Sequence, residues 1–257
     1  MNPNIKTALI QTPLIWEDPG ANRQALRKKI DSLDKNTDLV VLPEMFTSGF
    51  TMKPERVAET MAGETLSWIK ETAVKNNVAI TGSVVIAEDG KYYNRLLFTH
   101  PDGKVEHYDK KHTFTLAGEN KVYHTGKERL VVEYKGWKLC PLICYDLRFP
   151  VWARNTDAYD VLLFVANWPL PRISSWDILL RARAVENLCY CIGVNRIGRD
   201  HNGNEYPGHS AVYGVLGEQL AFSEKEEIIY TTLERDKITH YRNKLQFLED
   251  RDEFILK

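Results

Sequence analysis

The chain has 257 residues, 43% of them hydrophobic and 27% charged, with a formal net charge of −1. That balance gives no electrostatic reason to expect nucleic acid or an anionic membrane as a partner. The longest apolar run, Val161–Ala166, is far too short to span a bilayer.

The first twelve residues have no basic segment followed by an apolar core and a small-residue cleavage site, so no signal peptide and a cytoplasmic location are expected. A strand is predicted over residues 7–11. Asp18-Pro19 then supplies an N-cap and a first-turn proline, with Ala21, Leu26, Ile30 and Leu33 on one face of the helix behind it. Residues 39–42 form a second apolar strand, Leu66, Ile69, Ala73 and Val74 a helical stripe, and residues 78–86 a third strand. Further strands are predicted at 139–144, Val161–Ala166 and 190–194, with Pro141 an awkward member of the first of them. A helix is expected to start near Pro150, and another runs from Ser175 through Trp176, Leu180 and Arg183 to Asn187. Nearly continuous apolar strands alternating with helices indicate a layered α/β fold whose strands are buried on both faces. No linker or low-complexity segment divides the chain, so one domain over residues 1–257 is expected.

One internal echo narrows the search for a site. Asp38 precedes residues 39–42 and then Pro43-Glu44, while Asp160 precedes Val161–Ala166 and then Asn167-Trp168-Pro169. Cys144-Tyr145-Asp146 ends a third strand in the same way. Ligands in open α/β sheets bind beyond the carboxyl ends of strands, so these three ends nominate one pocket.

Cys144 stands where a strand turns towards a helix, a position where backbone N–H groups and the helix end can activate a thiol and hold an oxyanion. Taken alone, such a cysteine is more often a small buried hydrophobe, and Cys140, Cys189 and Cys191 are read that way. The cysteine spacings fit neither a disulfide scaffold nor a zinc module, so reduced thiols are expected. A thiol needs a base to attack an amide at neutral pH, and Glu44 at the end of its strand can be that base or a loop carboxylate. Lys110 reads by composition as a surface charge, and by function as a buried cation paired with Glu44; Glu119 stands out still less by pattern alone. Metal-ligand spacing and phosphate-binding glycine motifs are lacking, so no cofactor or metal is expected.

Three blocks, Leu42-Pro43-Glu44-Met45-Phe46, Tyr108-Asp109-Lys110-Lys111-His112 and Cys144-Tyr145-Asp146-Leu147-Arg148-Phe149-Pro150, together resemble the nitrilase superfamily of carbon–nitrogen hydrolases. One position departs from that pattern: the common Lys-x-His-Leu reads Lys110-Lys111-His112-Thr113. The resemblance implies an αββα four-layer sandwich of two mixed sheets flanked by helices. It makes Cys144 the nucleophile, Glu44 the general base, Lys110 the stabilising cation and Glu119 an assisting carboxylate. The Tyr145 N–H joins Lys110 in the oxyanion site. It also implies a homodimer, for which the helix with Trp176 and Leu180, and the tail over residues 236–257 with Ile238, Tyr241, Leu245, Phe247 and Leu248, offer apolar surface.

Within the superfamily the blocks around Val165-Ala166-Asn167-Trp168-Pro169 and Val194-Asn195-Arg196-Ile197-Gly198 resemble the bacterial ω-amidases, which deamidate α-ketoglutaramate and similar ω-amides. The expected partner is then a small amide. Phe46 and Trp168 are expected as apolar walls and Arg172 as a holder of the distal carboxylate. Arg148 reads more readily as half of a structural salt bridge. A general aliphatic amidase, an N-carbamoyl amino-acid hydrolase, a true nitrilase and a catalytically idle dimeric binding protein are the rival readings.

Overall fold

The computed structural model describes residues 4–255. The first half contributes β1 (Ile5–Gln11), α1 (Pro19–Asp31), β2 (Leu39–Val41), α2 (Glu64–Asn76), β3 (Ala79–Glu88), β4 (Lys91–Thr99) and β5 (Val105–Asp109). The second contributes β6 (Val132–Tyr134), β7 (Trp137–Ile143), β8 (Val161–Ala166), α3 (Ile173–Asn187) and β9 (Tyr190–Asn195). A small hairpin, β10 (Ile197–Arg199) with β11 (Glu205–Pro207), precedes β12 (Ser210–Tyr213), β13 (Gln219–Ser223), β14 (Glu227–Leu233) and α4 (Arg235–Leu245). Two six-stranded sheets result, ordered β14-β1-β2-β3-β4-β5 and β13-β12-β9-β8-β7-β6. Each is parallel at its centre, β1-β2-β3 and β7-β8-β9, and antiparallel at its flanks. With helices on the outer faces, the fold is the expected αββα sandwich.

Alternation along β2 separates the layers. Val40 and Leu42 pack with Leu26, Ile30, Leu66 and Ile69 beneath α1 and α2, whereas Leu39 and Val41 join the cluster built with β7 and β8. Asp18 caps α1 through the Ala21 N–H at 2.9 Å. On α2 the buried stripe is Thr65, Leu66, Trp68, Ile69, Thr72 and Ala73, while Val74 is 54% exposed. Val74 lies about 140° around the helix from Ile69, which turns it to solvent. On the other face α3 lies against β9, where a side chain on Gly193 would meet Leu180 Cδ1 at 2.3 Å and Trp176 at 2.7 Å.

The echo between the halves is structural. The Lys6 N–H donates to Asp38 Oδ2 at 2.8 Å and the Asp38 N–H returns to the Lys6 carbonyl at 2.8 Å. Lys138 and Asp160 repeat this at 3.0 and 2.7 Å. Each aspartate carbonyl also accepts from the next strand, from Ala79 and Tyr190 respectively, both at 3.0 Å. These carboxylates therefore start β2 and β8 in equivalent registers and deliver their far ends to one place.

Several boundaries differ from expectation. The strand predicted at 139–144 stops at Ile143, because Cys144 has φ 44° and opens a 3-10 turn over Cys144–Arg148. No helix begins at Pro150: the bond from the Ala153 N–H to the Phe149 carbonyl is a single turn. Pro141 fits its strand because β6 reaches only to the partner of Leu139, leaving no ladder bond to lose. The unpredicted strands are antiparallel ones that are short, such as β6, or that mix polar with apolar residues, such as β4, where Asn94 and Arg95 precede Leu96, Leu97 and Phe98.

Candidate active site

The ends of β2, β7 and β8 converge. Glu44, Lys110 and Glu119 are each 0% exposed, with the ammonium between the two carboxylates. Lys110 Nζ donates to Glu44 Oε1 at 2.8 Å and to both Glu119 oxygens at 3.0 Å. Burial alone would lower the Lys110 pKa, but Glu119 and Glu44 overcome it and hold the ammonium charged. Burial raises the Glu119 pKa, against the pull of Lys110. Glu119 Oε2 also accepts the Phe114 N–H at 2.5 Å, fixing the loop beneath it.

Cys144 lies half-buried on the floor of a pocket of about 200 Å³, with Tyr145, Arg148, Asn167, Trp168, Arg172 and Phe50 around it. Burial, and next the Glu44 carboxylate, push its thiol pKa well above the ordinary value, while Lys110 pulls the other way. A proton-bearing thiol beside a carboxylate is the resting arrangement for base-assisted attack. Tyr145 is inside the first turn after Cys144, so its N–H has no acceptor within the helix and is available to an oxyanion.

Asp146 builds this elbow. Its Oδ2 accepts the Ile143 N–H at 3.0 Å and the Tyr108 hydroxyl at 2.8 Å, and its Oδ1 accepts both the backbone and ring N–H of His112, at 3.0 and 2.8 Å. His112 stacks on Phe149 with ring centroids 3.6 Å apart. His112 is thus a support, and Lys111 places its ammonium over Trp152, away from Glu44.

Of the residues expected to meet substrate, Trp168, Arg172 and Arg148 line the pocket and Phe46 does not. Met45 has φ 45°, and the Met45 and Phe46 N–H groups bond to the Ser83 hydroxyl and carbonyl at 2.9 and 3.0 Å. These contacts fold Phe46 back onto β3, where it meets Trp68 with centroids 5.9 Å apart and lies 2.8 Å from the position a Gly82 Cβ would take. Phe50 takes the wall instead, reached after Gly49 at φ 71°. Arg148 is in no salt bridge among the described residues; its guanidinium lies 4.9 Å from the Trp168 ring centroid, as that of Arg172 lies 5.0 Å from Phe114.

Four residues of the site were assigned no role from the sequence. Asn94 donates to Glu44 Oε1 at 2.8 Å; Asn167 donates its N–H to Glu44 Oε2 at 2.9 Å and its Nδ2 to the Glu44 carbonyl at 2.7 Å. Tyr206 with Asn204, on the β10–β11 hairpin, closes one side of the pocket. Only the position of Asn167 at a strand end hinted at a role.

An αββα sandwich with a thiol, a carboxylate and an ammonium gathered at its strand ends defines a cysteine-based hydrolase. The carbon–nitrogen hydrolase family profile matches residues 6–243, and the chain belongs to that family. It is 42% identical over 256 residues to the omega-amidase YafV of Yersinia enterocolitica, covering 98% of both chains. It is 33% identical over 247 residues to the 2-oxoglutaramate amidase of Bacillus subtilis, covering 94% of this chain and 95% of that one. The crystal structure of XC1258 from Xanthomonas campestris, a superfamily protein with an arsenic adduct in the active site, superposes with a TM-score of 0.96 at 42% identity, covering 99% of both chains.

Proposed function

We propose that the protein releases ammonia from the ω-amide of a short dicarboxylate, of the α-ketoglutaramate or succinamate kind, through a thioester on Cys144. Glu44 takes the thiol proton as sulfur attacks the amide carbonyl, and the Lys110 ammonium with the Tyr145 N–H receives the oxyanion. Glu44 returns the proton to the departing ammonia and then activates the water that hydrolyses the thioester. Glu119 holds Lys110 in place and charged. Each oxyanion donor of this kind is commonly worth ~10²–10³ in rate.

The observation that carries the substrate class is the pair of guanidiniums on the pocket wall. Arg148 and Arg172 each hold their guanidinium within about 5 Å of an aromatic ring centroid and pair with no carboxylate among the described residues. A pocket of about 200 Å³ admits only a short substrate, whose far carboxylate one or both arginines can clamp. The relatives named as omega-amidase and 2-oxoglutaramate amidase support the same reading.

Ammonia release from succinamate, α-ketoglutaramate and propionamide tests it. Both acids should exceed propionamide by about 30-fold or more in kcat/KM, the scale of losing a buried charged partner. Arg172→Met or Arg148→Met should narrow that gap by slowing the acids. Propionamide turned over as well as succinamate would make a general aliphatic amidase the better reading.

A cytoplasmic homodimer is part of the proposal. Trp176 and Leu180 are buried within the chain's own fold, as is Ile238, so the interface expected from them moves to their neighbours. Ile178, 67% exposed, and Val185 on the outer side of α3, with Val151 and the C-terminal Phe247 and Phe254 grouped together in the fold, are the apolar surface available. Sedimentation as a monomer at micromolar concentration would refute it. No helix among the described residues is long and apolar enough to cross a membrane.

A further inference from the structure

Asn94 lies on β4 with 1% exposure, and its side chain meets both catalytic-site carboxylates. Its Nδ2 donates to Glu44 Oε1 at 2.8 Å and reaches Glu119 Oε1 at 3.4 Å. Lys110 Nζ donates to the same two oxygens, at 2.8 and 3.0 Å. The backbone adds to this: the Asn94 carbonyl accepts the Lys110 N–H at 3.0 Å. Reversing the amide would press its oxygen against a carboxylate oxygen, so the chemistry of the contact fixes which atom is which. Asn94 Oδ1 is then left buried with no hydrogen-bond partner among the described residues. An unmet buried acceptor is destabilising, and an apolar side chain of the same shape would avoid it. The position is therefore poorly explained by packing and well explained by its donor.

The donors on Glu44 are divided unevenly. Oε1 receives two, from Lys110 and Asn94, which matches the two lone pairs of a carboxylate oxygen. Oε2 receives the Asn167 N–H at 2.9 Å and the Asn167 side chain only at 3.4 Å, leaving room for one proton. We propose that Asn94 is a positioning residue that, with Lys110, saturates Glu44 Oε1, so that the proton leaving Cys144 enters at Oε2, and that favours the ionised carboxylate in the free enzyme. This rests on the reading of Glu44 as the base. The other groups that face Glu44 are Lys110, Glu119 and Cys144, with Tyr123 and Tyr206 further out, both held protonated by burial.

The experiment compares the pH dependence of kcat/KM for succinamate in the wild type and Asn94→Leu, alongside the pH dependence of Cys144 alkylation by iodoacetamide, which needs no turnover. A donor to a charged acceptor stabilises the charged form, so its loss should move the acidic limb of both profiles up by about one pH unit. The shift should persist in a Glu119→Gln background, which removes the second carboxylate as its source. A slower enzyme with both limbs unmoved, or a shift that vanishes with Glu119→Gln, would overturn the proposal. Asn94→Ser, whose hydroxyl is too short to reach Glu44, replaces Asn94→Leu if the latter does not fold; if neither folds, the residue is structural and the proposal is lost. Glu44→Gln separates the two readings: wild-type activity there would remove the base assignment itself, whereas an inactive Glu44→Gln with unmoved Asn94→Leu limbs removes this inference alone.

Discussion

The Asp146 carboxylate meets the His112 ring at 2.8 Å and the His112 backbone N–H at 3.0 Å, tying the turn that carries Cys144 to the one that carries Lys110. Nucleophile and cation come from different sheets, and this contact sets their spacing. Asp146→Asn replaces one acceptor oxygen with a donor and strands at least one buried N–H, at a cost of about 1–3 kcal/mol. We expect a lower unfolding midpoint in denaturant and a fall in kcat larger than any change in KM. An unchanged kcat in a destabilised variant would mean that the tie serves folding alone.

Cys144→Ala should abolish turnover while leaving the fold and pocket intact, because only the sulfur is lost. The wild type quenched during turnover should carry one added acyl mass on Cys144, read by mass spectrometry of the peptide. Activity of the alanine variant near that of the wild type would end the thioester mechanism.

Lys110 and Lys111 are neighbours with opposite fates. Lys110→Met should cost at least two orders of magnitude in kcat/KM, the scale of a lost oxyanion donor, and leave two carboxylates facing each other without their cation. Lys111→Met should be nearly silent, since a methionine keeps the apolar stem over Trp152. Equal effects in a steady-state assay would reverse this assignment.

Stability should fall at alkaline pH. Burial pushes the Cys140 thiol from 9.0 up to about 12 in the folded chain. Between those values the unfolded chain has released a proton that the folded chain keeps, so the unfolded state binds fewer protons and the unfolding free energy declines as pH rises. The loss begins near pH 9, and at pH 10 Cys140 alone accounts for about 1 kcal/mol. Cys140→Ala, though less stable at pH 8, should lose less on going from pH 8 to pH 10. An equal loss in both proteins, measured by urea unfolding, would assign the effect to other groups.

The strand–helix alternation was legible in the sequence by itself, and the candidate chemistry in the three blocks that resemble the family. Short continuous apolar runs such as Val161–Ala166 read as strands buried on both faces, Asp18-Pro19 is a local capping signal, and Glu44, Lys110 and Cys144 stand in compact blocks. What depends on which way a side chain leaves its element was decided by tertiary structure. Phe46 was the expected wall, but the positive φ at Met45 and the Ser83 contacts turn it under the sheet and leave that place to Phe50. Val74 lies close in sequence to a buried stripe and faces water. Trp176 and Leu180 look like interface residues until β9 offers Gly193, whose missing side chain makes room for both. Asn94, Asp146 and Asn167 are common polar residues whose contacts arise only when segments distant in the chain bring them within 3 Å of a buried carboxylate, a tyrosine hydroxyl or an N–H. A hydrogen bond is set by distance and angle between atoms, and neither is written in the spacing of residues along one chain.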